Sequence, residues 1–131
     1  MIIEINTQSV IPIYEQLCDQ IVLGIASKKL FPGESLPSTR NLAADLGINS
    51  LTVNKAYSIL CDDGYIVMDR RKGAIVTRNM AVNETFLSGL KQKLLLSAAE
   101  GICRGMSETD YTALCAKCYK DASGDPEKGE K

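Results

Sequence analysis

The sequence predicts a mainly α-helical chain with one small β-hairpin, and three observations predict it. Apolar residues recur at helical spacing in five separate stretches. Only one region, Tyr65–Met68 followed by Ala74–Thr77, has strand character on either side of a glycine-containing loop. The length, 131 residues with 45% apolar and 24% charged side chains, allows one domain with a short appendage and a core that needs neither metal nor disulfide. Five Tyr, two Phe and no Trp leave that core to aliphatic side chains.

The first helix is expected to begin near Pro12, a residue suited to a first helical position because its missing N–H would be unpaired there. Ile13, Leu17, Ile21 and Ile25, joined by Tyr14, Cys18 and Val22, make one broad apolar stripe. Leu30-Phe31-Pro32-Gly33 is expected to end it, and Leu36-Pro37 to be extended, since the residue before proline avoids helical backbone. Ser38 caps a short second helix through Leu46, with Leu42, Ala43 and Leu46 inward. Gly47 stands where a left-handed residue closes it. Asn49 caps a third helix whose Val53, Ala56, Tyr57 and Leu60 repeat at i, i+3, i+4 and i+7. Gly64 stops that helix, and Asp69-Arg70-Arg71-Lys72-Gly73 forms the tip of the hairpin.

Beyond Asn79 the pattern is helix alone. A long helix over Glu84–Cys103 carries Leu87, Leu90, Leu94, Leu95, Ala98 and Ile102, an apolar surface wider than one stripe. Gly105 breaks it, and Ser107 caps a last helix with Glu108 and Asp110 in its first turn, where negative charge suits the helix dipole. Tyr111, Leu114, Cys115, Cys118 and Tyr119 form its apolar face. Residues 123–131, rich in Gly, Glu and Lys, read as a solvated, flexible tail.

Composition removes several classes of function. No histidine is present, which excludes Ser–His and Cys–His catalytic pairs and His-based metal sites. Five cysteines without a secretory pattern at the N-terminus suggest free thiols and a cytoplasmic setting. Cys115-x-x-Cys118, even with Cys103, falls one ligand short of a closed zinc site, so packing is the expected role of all five thiols and no metal or cofactor is expected. Asp62 and Asp63 diverge on a helix end, and no glycine-rich phosphate loop exists, so an enzyme is not expected. No apolar run is long enough to span a membrane.

Charge is more informative locally than in total. Residues 1–78 hold eight basic and eight acidic side chains, yet Arg70, Arg71, Lys72 and Arg78 fall within nine residues. Ala43, Gly47 and Val53 are the other informative spacing. A sharp helix crossing needs a small residue in the first helix, positive φ in the turn and an apolar anchor from the second helix. The first turn of that second helix then faces outward with Asn49, Ser50, Thr52, Asn54 and Lys55, polar and short enough to approach base edges and phosphates. No acidic residue lies between Ser50 and Leu60. With the basic hairpin of Arg70, Arg71, Lys72 and Gly73 directly after, this reads as a winged helix-turn-helix that binds double-stranded DNA. A winged helix that docks proteins is the alternative.

The same residues carry a family resemblance. Pro12-Ile13-Tyr14-Glu15-Gln16-Leu17, Leu30–Ala43, Leu46-Gly47-Ile48-Asn49, Thr52–Tyr57, Asp63-Gly64-Tyr65-Ile66 and the Gly73 hairpin resemble the GntR family of bacterial transcription regulators over residues 8–78. The resemblance implies that Ser38 and Arg40 meet phosphates or bases, that Asn49, Ser50, Thr52 and Asn54 act from the recognition helix, and that Lys72-Gly73 enters the minor groove. Many members carry Arg at the position of Ser50 and Arg or Gln at that of Asn54, and Leu51 replaces a small polar residue, so the operator sequence is not legible. A two-helix region over 80–122, in place of a large effector domain, resembles the YtrA branch. That branch implies a homodimer formed through these helices and control of an ATP-binding-cassette transporter operon; an effector is not read from the sequence. The wide apolar surface itself makes Leu87, Leu90, Leu94, Leu95 and Ile102 the expected dimer contacts, and a palindromic operator, bound by a repressor, requires that dimer.

Overall fold

The computed structural model describes residues 3–124. Its elements are α1 (Ile13–Ala26), α2 (Thr39–Leu46), α3 (Ser50–Asp62), β1 (Ile66–Asp69), β2 (Gly73–Val76), α4 (Glu84–Cys103) and α5 (Glu108–Ser123). They fall into two units, Met1–Met80 and Ala81–Lys131. This is a mainly α fold with one antiparallel hairpin, paired Ile66 with Val76 through Asp69 with Gly73.

All buried apolar side chains among the described residues belong to the first unit. Leu17 and Ile21 of α1, Leu42 and Ala43 of α2, Val53, Ala56, Tyr57 and Leu60 of α3, and Ile66, Ala74 and Val76 of the hairpin share one core. The helix-turn-helix meets its three requirements: Ala43 and Val53 are buried, and Gly47 lies at φ 69°. Ser38 and Asn49 cap α2 and α3, each accepting from a main-chain N–H of the first turn. Tyr57 carries a polar group into this core and satisfies it. Its hydroxyl donates to the Pro37 carbonyl at 2.7 Å, tying the start of α2 to the middle of α3.

Three local features differ from expectation. Pro12 takes the N-cap, extended at ψ 147°, instead of the first helical position. α1 ends at Ala26, well before Leu30, because Lys28 adopts φ 67°. Lys29 N–H then bonds back to Gly24 O at 2.9 Å and Lys28 N–H to Ile25 O at 3.2 Å, a closed terminus with lysine where glycine is usual. Each strand is offset from its predicted bounds by one residue. The segment before α2, expected to be extended at Leu36-Pro37, also pairs with the hairpin. Gly33 N–H donates to Val76 O, Val76 N–H to Glu34 O and Leu36 N–H to Ala74 O, so residues 33–36 run as a third line along β2.

Residues 3–11 have no periodic pattern of their own, and α1 holds them by side chain. Gln16 accepts from Asn6 N–H and donates to the carbonyls of Asn6 and Ile11, while Gln20 brackets Glu4 in the same manner. Ile3 and Ile5 are thereby packed against the core.

In the second unit α4 and α5 meet at a corner, where Gly105 has φ 83°. Tyr111 donates to Ser97 at 2.9 Å, and a side chain at Gly101 would meet Met106 and Tyr111. No residue of either helix is buried. The expected packing of the thiols is therefore corrected for three of them. Cys103 of α4 and Cys115 and Cys118 of α5 are exposed within this chain, on helices that bury no residue; Cys18 and Cys61 are partly buried as expected. Of the expected tail over 123–131, Ser123 is helical and Gly124 caps α5, which corrects its start, and residues 125–131 lie outside the described residues.

Burial pushes the Tyr57 phenol up to about 12 from an ordinary value of 10. Because the folded value is the higher one, its contribution is complete below pH 10 and is lost as pH rises through about 12. Tyr57→Phe should remove that component of alkaline unfolding. At neutral pH it should cost about 1 kcal/mol for the missing hydrogen bond, measured by denaturant unfolding across pH.

Candidate nucleic-acid interface

The outward face of α3 is set by what its inward face buries. With Val53, Ala56, Tyr57 and Leu60 in the core, Ser50, Leu51, Asn54, Lys55 and Ser58 are left exposed, and Thr52 is half-buried at the edge. Ser58 and Leu51 are not among the expected site residues, although the spacing 51, 54, 55, 58 marks them as one face. Lys55 is not a free cation on a flexible stem. Its ammonium sits 4.0 Å from the centroid of the Tyr14 ring, a contact that links α3 to α1.

Two of the expected site residues already have structural tasks. Asn49 Oδ1 accepts from Leu51 N–H at 2.8 Å, and Ser38 Oγ from Asn41 N–H at 3.1 Å. Capping consumes acceptors, so the Asn49 amide N–H groups and the Ser38 hydroxyl hydrogen stay available to donate. A phosphate oxygen needs donors. Arg40, on the first turn of α2, is exposed, and the Tyr57–Pro37 bond brings this turn beside α3.

At the hairpin, Arg70, Arg71 and Lys72 are exposed at the tip and Gly73 takes φ 78°. The acid among these bases is explained by the main chain. Asp69 Oδ1 accepts from Arg71 N–H at 2.8 Å and from Lys72 N–H at 3.0 Å, closing the turn. These two bonds, Arg71 first, hold the Asp69 carboxyl below the usual carboxylate range. Arg78 departs from the cluster seen in sequence: its guanidinium lies against Gly33, within 3.0 Å of where a side-chain carbon there would stand. The structure thus gathers three cations at the tip and a fourth at the base of the hairpin.

Known proteins resemble this chain in sequence and in fold. Residues 13–76 match the family described as bacterial regulatory proteins, gntR family. The chain is 32% identical over 105 residues to the HTH-type transcriptional regulator YhcF of Bacillus subtilis, covering 80% of this chain and 84% of YhcF. The chain belongs to the GntR family. As a GntR regulator it is also similar in structure to YtrA from Sulfolobus acidocaldarius, a GntR-family transcription factor, with 43% identity and a TM-score of 0.60 over 73% of this chain and 99% of that one. A crystal structure of a transcriptional antiterminator from Listeria monocytogenes matches with a TM-score of 0.87 at 27% identity, over 95% of this chain and 94% of that one. The first unit accordingly contains a GntR winged helix-turn-helix DNA-binding domain, with the β1–β2 hairpin as its wing, and the protein is a transcriptional regulator. Among the described residues no helix is long and apolar enough to cross a membrane.

The wing tip depends on the Asp69 acceptor. Asp69→Ala should speed hydrogen exchange at the amides of Arg71 and Lys72, whereas Asp69→Asn, which keeps an acceptor oxygen, should leave them protected. Since the folded carboxyl titrates low, wild-type protection should be complete above the ordinary carboxylate range and fall only as pH drops through the lowered value.

Proposed function

We propose that this GntR regulator is a homodimeric repressor whose two copies of α3 lie in successive major grooves of a palindromic operator, with each wing in the adjoining minor groove. The observation that carries the reading is the exposed face of α3. It is polar or cationic at Ser50, Asn54, Lys55 and Ser58, has no acidic residue between Asn49 and Leu60, and stands on a rigid core beside the cationic wing.

Roles follow from donor chemistry. Ser38, Arg40, Asn49 and Lys55 offer donors to phosphate oxygens, and Arg70, Arg71 and Lys72 neutralise phosphates at the groove edge. Gly73 allows the wing backbone its positive φ close to the sugar-phosphate chain. Ser50, Thr52 and Asn54 are short enough to reach base edges.

Dimerisation is supported by the second unit. Leu87, Leu90, Leu94, Leu95 and Ile102 are between 37% and 72% exposed on α4, a helix that buries no residue. Each Leu buried in full contributes roughly 1.5–3 kcal/mol, so a few at a two-fold contact hold a dimer after association costs. Cys103, Cys115 and Cys118, exposed in one copy, are small apolar groups that the same contact covers. Repression is the activity named for two relatives, NagR and YtrA of Bacillus subtilis, of which the chain spans 44% and 59%. Control of an ATP-binding-cassette transporter operon comes with the resemblance to YtrA, and genome positions of selected operators check it.

Fluorescence anisotropy on duplex DNA across a salt series tests the reading. Affinity should fall with log salt at a slope of about −0.9 per neutralised phosphate, and Arg70→Ala or Lys72→Ala should flatten the slope by about one such increment. Thr52→Ala and Asn54→Ala should instead change preference among operators, by roughly 1–3 kcal/mol for each base that is no longer read. Leu94→Asp in the full chain should sediment as a monomer and bind half-sites weakly. Binding that ignores both recognition-helix substitutions would sink the assignment, and a Leu94→Asp dimer would place the interface elsewhere.

A further inference from the structure

Among the exposed side chains of α3, Leu51 does not fit a surface meant only for hydrogen bonds and phosphates. It is 69% exposed, and it belongs neither to the core nor to the apolar side chains packed against it. Its place is nevertheless fixed, because its own N–H is the group that Asn49 caps at 2.8 Å. Of its exposed neighbours, Ser50 and Ser58 are shorter, and Asn54 is equal in length but polar. The one long neighbour, Lys55, is drawn to the Tyr14 ring at 4.0 Å. An isobutyl group therefore projects from the first turn of the recognition helix.

A B-form major groove offers donors, acceptors and one apolar group at its floor, the 5-methyl of thymine. Against guanine, cytosine or adenine an aliphatic side chain would cover polar edge atoms without pairing them, which costs free energy. We propose that Leu51 contacts a thymine 5-methyl group and so determines specificity for thymine at one position in each half-site. This rests on the proposed placement of α3 in the major groove, and deepens it.

The test begins with duplexes enriched from a random library by the full-length protein. Each thymine in an enriched duplex is then replaced singly by deoxyuridine, which removes the methyl group and nothing else. One thymine per half-site should show an affinity loss of about fourfold, the effect of uncovering one methyl-sized group. Leu51→Ala should bind the thymine and deoxyuridine duplexes alike, and Leu51→Asn should do the same. Both substitutions are on the surface, and thermal melts confirm the fold. An enriched duplex in which no deoxyuridine matters overturns the assignment while leaving DNA binding by α3 intact, as does full methyl dependence retained in both variants. Failure to enrich any duplex overturns this inference and the proposed function together.

Discussion

The crossing of α2 and α3 is the constraint on which the site depends. Val53 is fully buried in the core that also takes in Ala43, and the chain turns between them at Gly47, whose φ of 69° is left-handed. A larger residue at Ala43 would overpack the contact at a cost of about 1–3 kcal/mol and tilt α3. Because Val53, Ala56, Tyr57 and Leu60 fix the rotation of α3, they also decide which residues face outward. The interface is in this sense the remainder of the core. Tyr57 adds an angular restraint through Pro37, and Lys55 on Tyr14 adds another from α1.

Charge is arranged on the same scaffold. The wing carries its cations on a two-stranded ribbon that would be marginal alone. Its strands are held by Ile66, Ala74 and Val76 in the core and by the line of residues 33–36 along β2. Asp69 directs its negative charge to two tip amides, which leaves the side chains of Arg71 and Lys72 exposed to solvent on a closed turn. A net charge of −1 conceals all of this.

Helix bounds are legible wherever a side chain punctuates them. Ser38, Asn49, Asn83 and Ser107 each accept from a main-chain N–H at the start of their helix, and the Glu84–Cys103 helix has the predicted bounds. The polar first turn of α3 and the basic tip are legible for the same reason: each is a local pattern. What escapes a sequence reading is set by distant partners. The end of α1 at Lys28 uses a left-handed lysine that no residue preference signals. Leu36 reads as extended ahead of Pro37, but no local pattern signals that β2 recruits residues 33–36 by main-chain bonds. Residues 3–11 follow α1 because two glutamines bind their backbone. The faces of α4 and α5 are apolar as their periodicity says, but the three thiols there are not packed, since periodicity reports composition and not what covers it.

Chemical interference on a selected operator tests the central claim most directly, because it reports which groove each part of the protein occupies. Dimethyl sulfate marks guanine N7 in the major groove and adenine N3 in the minor groove. Two recognition helices and two wings predict that N7 methylation blocks binding in two patches about one helical turn apart, roughly 34–36 Å, with N3 methylation blocking beside them. A single N7 patch, or interference confined to the minor groove, would contradict the account.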